Sequence, residues 1–328
     1  MPRARSGDLF RLGPLRREVP PGPGQVAILW QPEGCRYENT VGAASSRDIV
    51  CHRKKSKKTT PGILIKIMES PEKYRSLITA TDLISTRVRI KESDLLIRAE
   101  RECSGPALEA LARYRKEIED YLAIHPGFKE SLLPIAATHN APPIIIAMTR
   151  AALLCGVGPM AAVAGALAYF VGRELRSISS EVIVENGGDI YLDSQRERTI
   201  AVYSGNNAGP AEKIGIKIKP GEMPIGVAAS SGRQGRSLSW GKSDAAVVLA
   251  ADPILADGAA TALANRIYSD EPAVLKSAGN FVLKLPGIIG YLIICGKLIS
   301  VGGTVDIVAA VADRGKERQD LRLGLLNF

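Results

Sequence analysis

Val182-Ile183-Val184-Glu185-Asn186-Gly187-Gly188-Asp189-Ile190-Tyr191-Leu192 decides the fold class. Two short apolar runs rich in β-formers flank Asn-Gly-Gly, and Asn-Gly is the favoured pair at a two-residue hairpin turn. The stretch therefore reads as two antiparallel strands with a tight, side-chain-poor corner between them. Working outward, the pattern predicts further strands near 198–203, 213–218, 225–229 and 244–250, a helix over 253–268, and a last set of strands over 288–311. Upstream, 85–90 and 95–99 flank the polar turn Lys91-Glu92-Ser93-Asp94 as a hairpin. Apolar residues at helical spacing follow over 106–124, 142–154 and 159–175. Helices gather early and strands late, which is an α+β layout with helices packed on a mostly antiparallel sheet, not a βαβ alternation.

The length of 328 residues gives room for a sizeable core. Aromatics make up only 5% of the chain, so Ala, Gly, Val and Ile must supply most of that core. The net charge of +9 is unevenly spread: residues 1–60 hold twelve Lys and Arg against five Asp and Glu. That segment also carries Pro20-Pro21-Gly22-Pro23-Gly24 and Arg53-Lys54-Lys55-Ser56-Lys57-Lys58, with no sustained periodicity. It is expected to be a disordered basic extension over 1–65, with Met68 a candidate alternative start, and 70–328 a single domain. With the positive charge outside the domain, nucleic-acid binding through the folded surface is not expected. Five scattered cysteines without a CxxC pair, and an N-terminus lacking a signal sequence, point to a cytoplasmic protein. The apolar stretch 281–301 is interrupted by Lys284, Pro286 and Lys297, so buried strands are expected there and no membrane span. The late strands need covered edges, which is compatible with a homo-oligomer.

Several constellations could carry chemistry. Asp257 and Thr261 lie four residues apart in an Ala-rich helical segment and share a helix face, offering two hard oxygens to one magnesium ion. Gly156-Val157-Gly158-Pro159 opens a helix whose first N–H groups would suit an anion, and Ala161, Ala164, Gly165 and Ala168 equally allow that helix to pack closely on a neighbour. Ser230-Ser231-Gly232-Arg233-Gln234-Gly235-Arg236-Ser237 joins two strands and offers N–H groups, hydroxyls and guanidinium forks to a phosphate, or is a plain surface loop. Histidine is scarce. His139, just before a helix, is a candidate acid or base, with Asp189 and Asp244 as further candidates, although a structural histidine is the commoner outcome. Cys103 and Cys155 are candidate reactive thiols, Cys155 because it lies beside a glycine turn and a helix start.

In order along the chain, these segments resemble the ApbE-like superfamily, whose best-known members are FAD:protein FMN transferases. Asn186-Gly187-Gly188-Asp189 is similar to its Asn-x-Gly-Gly-Asp turn, and Ala256-Asp257-Gly258-Ala259-Ala260-Thr261-Ala262 to its Ala-Asp-Ala-x-Ala-Thr-Ala metal helix. Ser93–Arg98, Gly156–Gly165 and Ser237–Asp244 look like signatures of the short, functionally uncharacterised branch. Full-type transferases carry His-Ile-Ile-Asp-Pro-x-Thr-Gly before the metal helix; this chain has Gly235–Gly241 near that place, with Arg236 where the short branch usually shows histidine. The resemblance implies FAD or another flavin nucleotide as ligand. Magnesium would sit on Asp257 and Thr261, and the nucleotide would lie on Gly158, Asn186–Asp189, Ser230, Ser231, Gly232, Arg236 and Ser237. Transfer of FMN to a Ser or Thr of an acceptor protein would be the activity. The alternatives are a sulfur-transfer protein working through a reactive cysteine, and a non-catalytic scaffold or binding module.

Overall fold

A computed structural model of the chain describes residues 49–54, 64–67, 82–202, 214–231 and 241–309. The deciding stretch forms β5 (Val182–Asn186) and β6 (Asp189–Asp193), paired antiparallel with Asn186 opposite Asp189. Gly187 and Gly188 have φ of 67° and 112°, the left-handed region that a Cβ disfavours, so two glycines are what let the chain reverse in two residues.

Around this hairpin, β1 (Ile49–Lys54), β3 (Ile84–Ile90), β4 (Ser93–Ala99), β9 (Ile225–Ser230), β10 (Ala245–Ala250), β11 (Ile288–Cys295) and β12 (Leu298–Gly303) build a nine-stranded sheet ordered β1-β3-β4-β5-β6-β9-β10-β11-β12. Every pairing within it is antiparallel. A smaller sheet, β13-β8-β7-β2, joins β2 (Leu64–Ile67), β7 (Arg198–Val202), β8 (Ile214–Ile218) and β13 (Asp306–Ala309). The helices are α1 (Ser104–Ile124), the short α2 (Pro126–Glu130), α3 (Pro143–Cys155), α4 (Val163–Leu175), α5 (Pro253–Asn265) and α6 (Pro272–Leu283).

Strand alternation sorts the core into layers. Ile183 of β5, Leu192 of β6, Val247 and Leu249 of β10 and Leu292 and Ile294 of β11 face the small sheet, meeting Ile200, Val202, Ile214, Ile216 and Ile218. On the opposite face, Leu95, Ile97, Val182, Val184 and Tyr191 meet α1, α3 and α4. Farther along that face, Ala246, Val248, Ala250 and Ile293 meet α5 and α6. The large sheet is thus the middle of three layers, buried on both sides over much of its width. Small residues decide how closely the layers approach. A Cβ on Gly226 of β9 would fall 2.3 Å from Pro253 Cα, so the start of α5 rests directly on the sheet backbone. A Cβ on Gly172 would fall 2.2 Å from the Tyr191 ring, which fixes α4 against β6.

The α+β expectation holds, and three details differ from it. The helix expected from residue 159 begins with a 3-10 turn, Pro159–Ala162, before α4. α6 departs from the expectation of strands over 281–301: the first residues of that apolar run complete a helix opened by Pro272. Within the extension expected to be disordered, 49–54 and 64–67 are strands, β1 pairing with β3 and β2 running parallel to β7; the remainder of 1–65 lies outside the described residues. Among the described residues no single helix is long and apolar enough to cross a membrane, and the one pair passing by composition, Pro143–Cys155 with Pro159–Leu175, is bent by 107°.

Candidate functional site

The glycine corner lies at one end of the large sheet, on the side covered by α4 and α5. Glu185 fixes the corner itself: its buried carboxylate accepts the Gly188 N–H at 3.0 Å. Asn186, on the helix-facing side of β5, donates its amide to the carbonyl of Ala164 in the first turn of α4, at 3.1 Å. The next N–H of that helix, from Gly165, donates to Oδ2 of Asp257 at 2.8 Å, and the Ala164 N–H is also bonded to this carboxylate. The N-cap of α4, Ala162, has no side chain able to cap, so Asp257 satisfies first-turn donors from another helix.

Asp257 is held there by α5. Asp252 caps that helix by accepting the Ile254 N–H at 2.9 Å, and Pro253 stands in the first turn, where its missing N–H costs nothing. Gly165 permits the crossing: a Cβ there would lie 2.6 Å from Pro253 O and 2.8 Å from Asp257 Cβ. Thr261 follows Asp257 by one turn of unbroken helix and is half-buried, so the two residues lie on one face of α5.

Two acids meet at this corner. Burial pushes Asp257 up to about 7, opposed by its bonds to the Gly165 and Ala164 N–H groups. Asp189 is raised well above the usual carboxylate range by burial first, then by the charges of Asp257 and Glu185, against a bond from the Ala229 N–H. That last bond ties the corner to the end of β9, where Ser230 and Ser231 are both buried and Ser231 Oγ reaches Ser243 O at 3.4 Å. Four elements therefore converge: the β5–β6 turn, the end of β9, the start of α4 and the middle of α5. Among the described residues no three His, Cys, Asp or Glu side chains form a ready-made metal cage. A cation on Asp257 and Thr261 would complete its shell from phosphate oxygens and water, which is how magnesium is commonly held. The donor set, two hard oxygens beside a second buried acid, fits that ion.

Other expected site residues are placed elsewhere. Gly158 is no phosphate cradle: it is buried, and a Cβ there would fall 1.8 Å from the carbonyl oxygen of Ser131, so its smallness serves backbone packing. His139 is exposed beside Asn140, its Nδ1 2.9 Å from Asn140 Oδ1, before the start of α3. The other end of α3, at Ala151 and Cys155, is what meets Gly258 of α5, about 18 Å away along the helix axis. Asp244 accepts the Gly296 N–H at 2.6 Å and so ties the β11–β12 turn. Gly232, Arg236 and Ser237 lie outside the described residues. Cys103, Cys155 and Cys295 are all buried, and Cys155 is pushed up to about 12 by burial and by the charge of Asp257, which opposes a thiolate. Sequence reasoning passed over Glu185 and Gly165 as working parts of the site. The small-residue row through Gly165 signalled a close helix crossing, while nothing in the sequence marked Glu185 as a turn staple.

Residues 75–283, more than half of the chain, match the family described as "AbpE bacteria". The chain belongs to this family. A UPF0280 protein of Methanocella arvoryzae is 34% identical over 234 residues, covering 71% of this chain and 94% of that relative. Another UPF0280 protein, from Methanopyrus kandleri, is 38% identical over 225 residues, covering 67% and 91%. Among solved structures, a single-residue mutant of the flavin transferase ApbE from Vibrio cholerae superposes with a TM-score of 0.40 at 14% identity, over 67% of this chain and 94% of that one. The ApbE protein from Thermotoga maritima gives 0.40 at 12% identity, over 66% and 96%. At those scores the structural likeness carries no functional weight; membership of the AbpE family rests on the sequence match.

Proposed function

We propose that the chain binds a flavin nucleotide, FAD, at the corner between the β5–β6 turn, the start of α4 and the middle of α5, with magnesium on Asp257 and Thr261. The observation that carries this reading is the pair of buried acids, Asp189 and Asp257, facing the same corner with their negative charge poorly solvated. Such a pair is costly unless a cation or protons balance it. Membership of the AbpE family adds support, as does the resemblance of Asn186–Asp189 and Ala256–Ala262 to the ApbE-like turn and metal helix.

Transfer of FMN from FAD to a Ser or Thr hydroxyl of an acceptor protein is the reaction this site would support, the new phosphoester forming as the pyrophosphate bond breaks and AMP leaves. When bound, magnesium would supply charge neutralisation at the pyrophosphate. The chain's own part is positional. The Asn186–Asp189 corner offers bare backbone against which the ligand lies, and Asp257 and Thr261 orient the metal. Asp189 is the carboxylate whose raised pKa suits it to take a proton from an incoming hydroxyl. Asp244 is spent on a turn and His139 stands apart, so neither is assigned that role.

The test is a thermal-shift titration of the full chain with FAD, FMN and ADP, each with and without magnesium. FAD with magnesium at one hundred times Kd should add about 2.7 kcal/mol of stability, and Asp257→Ala should abolish the gain. A flat response to every nucleotide overturns the reading.

A further inference from the structure

The bond from Asn186 to the Ala164 carbonyl and the bond from the Gly165 N–H to Asp257 involve the two ends of one peptide unit. In a trans peptide the C=O and N–H point in opposite directions, so Asn186 and Asp257 grip that unit from either side. Asn186 is anchored: it closes the β5–β6 ladder opposite Asp189 and is 7% exposed. Its backbone position is therefore set by the sheet, while Asp257 belongs to α5. We infer that Asn186 is a positioning residue, which sets the Ala164–Gly165 peptide and, through it, the Asp257 carboxylate.

Hydrogen bonds in such a row polarise one another: a donor on the carbonyl makes the N–H at the other end of the same amide a better donor. The row also gives α4 a fixed rotation relative to the sheet, so the carboxylate is offered to the corner in one orientation. Asn186 thereby has work that does not require it to touch a ligand. The consequence for metal binding rests on the proposed function of Asp257; the positioning itself does not.

The experiment therefore has a metal-free arm and a metal arm, both on the full chain. In the first, amide hydrogen exchange at Gly165 is compared with that at Arg176, whose N–H bonds Gly172 at the far end of α4. Asn186→Ala should speed exchange at Gly165 tenfold or more and leave Arg176 unchanged. Asn186→Leu, close in size and with no donor towards Ala164, should do the same and answers the question should the alanine variant not fold. In the second arm, titration with Mn²⁺ alone should show affinity lowered tenfold or more in both variants, the usual effect of removing an outer-shell partner. Unchanged Gly165 protection in a folded variant overturns the inference. Faster Gly165 exchange with no Mn²⁺ binding even in the unsubstituted chain leaves the positioning role standing and removes the magnesium reading instead.

Discussion

Gly165 is the residue at which packing and chemistry meet. Its N–H holds Asp257, and its missing side chain lets the Pro253–Asp257 segment come close enough to be held. A methyl there would press on a backbone oxygen at 2.6 Å, which cannot turn aside as a flexible side chain would. Gly165→Ala should therefore destabilise the fold by about 1–3 kcal/mol, the usual cost of overpacking. Urea denaturation measures it, and a change within 0.5 kcal/mol in either direction would refute the account. The row Ala161, Ala164, Gly165, Ala168 was legible in the sequence as a close-packing face, because small residues at helical spacing have few other uses. That the same face supplies donors to an acid ninety-two residues later in the chain was not legible. The long-range pairing is set by the three layers, and no local pattern encodes it. Gly158 shows the converse: its neighbours in sequence resembled an anion cradle, and only the backbone of Ser131 pressed against it reveals a packing role.

Among the elements, the strands were the easiest to read because both faces of the large sheet are buried. Nearly unbroken runs of small and aliphatic residues such as Ile225–Ser230 and Ala245–Ala250 end within a residue or two of where they are expected. α6 was lost because its last turn, Phe281-Val282-Leu283, merges in sequence with the apolar approach to β11. The join between the two sheets was equally invisible. There Arg198 of β7, 1% exposed, donates to Glu181 at 2.6 Å, to Asp82 at 2.9 Å and to Ser194 at 2.8 Å. Removing one member of such a network leaves buried charge without compensation, which typically costs 3–5 kcal/mol. Arg198→Ala should lose about that much in a urea melt. The loss should lie chiefly in the midpoint, with the slope kept, since the surface exposed on unfolding scarcely changes. A loss below 1 kcal/mol would mean that the sheets are held by the isoleucine and valine layer between them and that the ion network contributes little.

For the whole molecule, the site is a debt in charge carried by the fold. Asp257 has been moved from an ordinary value of 3.8 to about 7, and Asp189 is raised in the same direction, both chiefly by burial. Between those limits the native state binds more protons than the unfolded chain, so stability must fall as pH rises through the window. The sign is opposite to that of Glu174, whose lowered pKa gives stability that is fully present above the ordinary glutamate range and is lost as pH falls below it, so it does not mask the effect above pH 5. Without divalent ions, Asp257 alone should lower the unfolding free energy by roughly 2–3 kcal/mol between pH 5 and pH 7.5, and Asp189 adds to the fall in the same direction. Asp257→Asn should flatten the profile, because its amide is neutral at both ends of the range. Added Mg²⁺ should restore stability at pH 7.5 and do little at pH 5, where protons compete for the same oxygens. Urea midpoints at the two pH values, with and without magnesium, decide the matter. Stability that is level or rising across this range in the metal-free chain would show that the two acids are better solvated than their burial implies, and would remove the electrostatic reason for placing a cation between the glycine corner and α5.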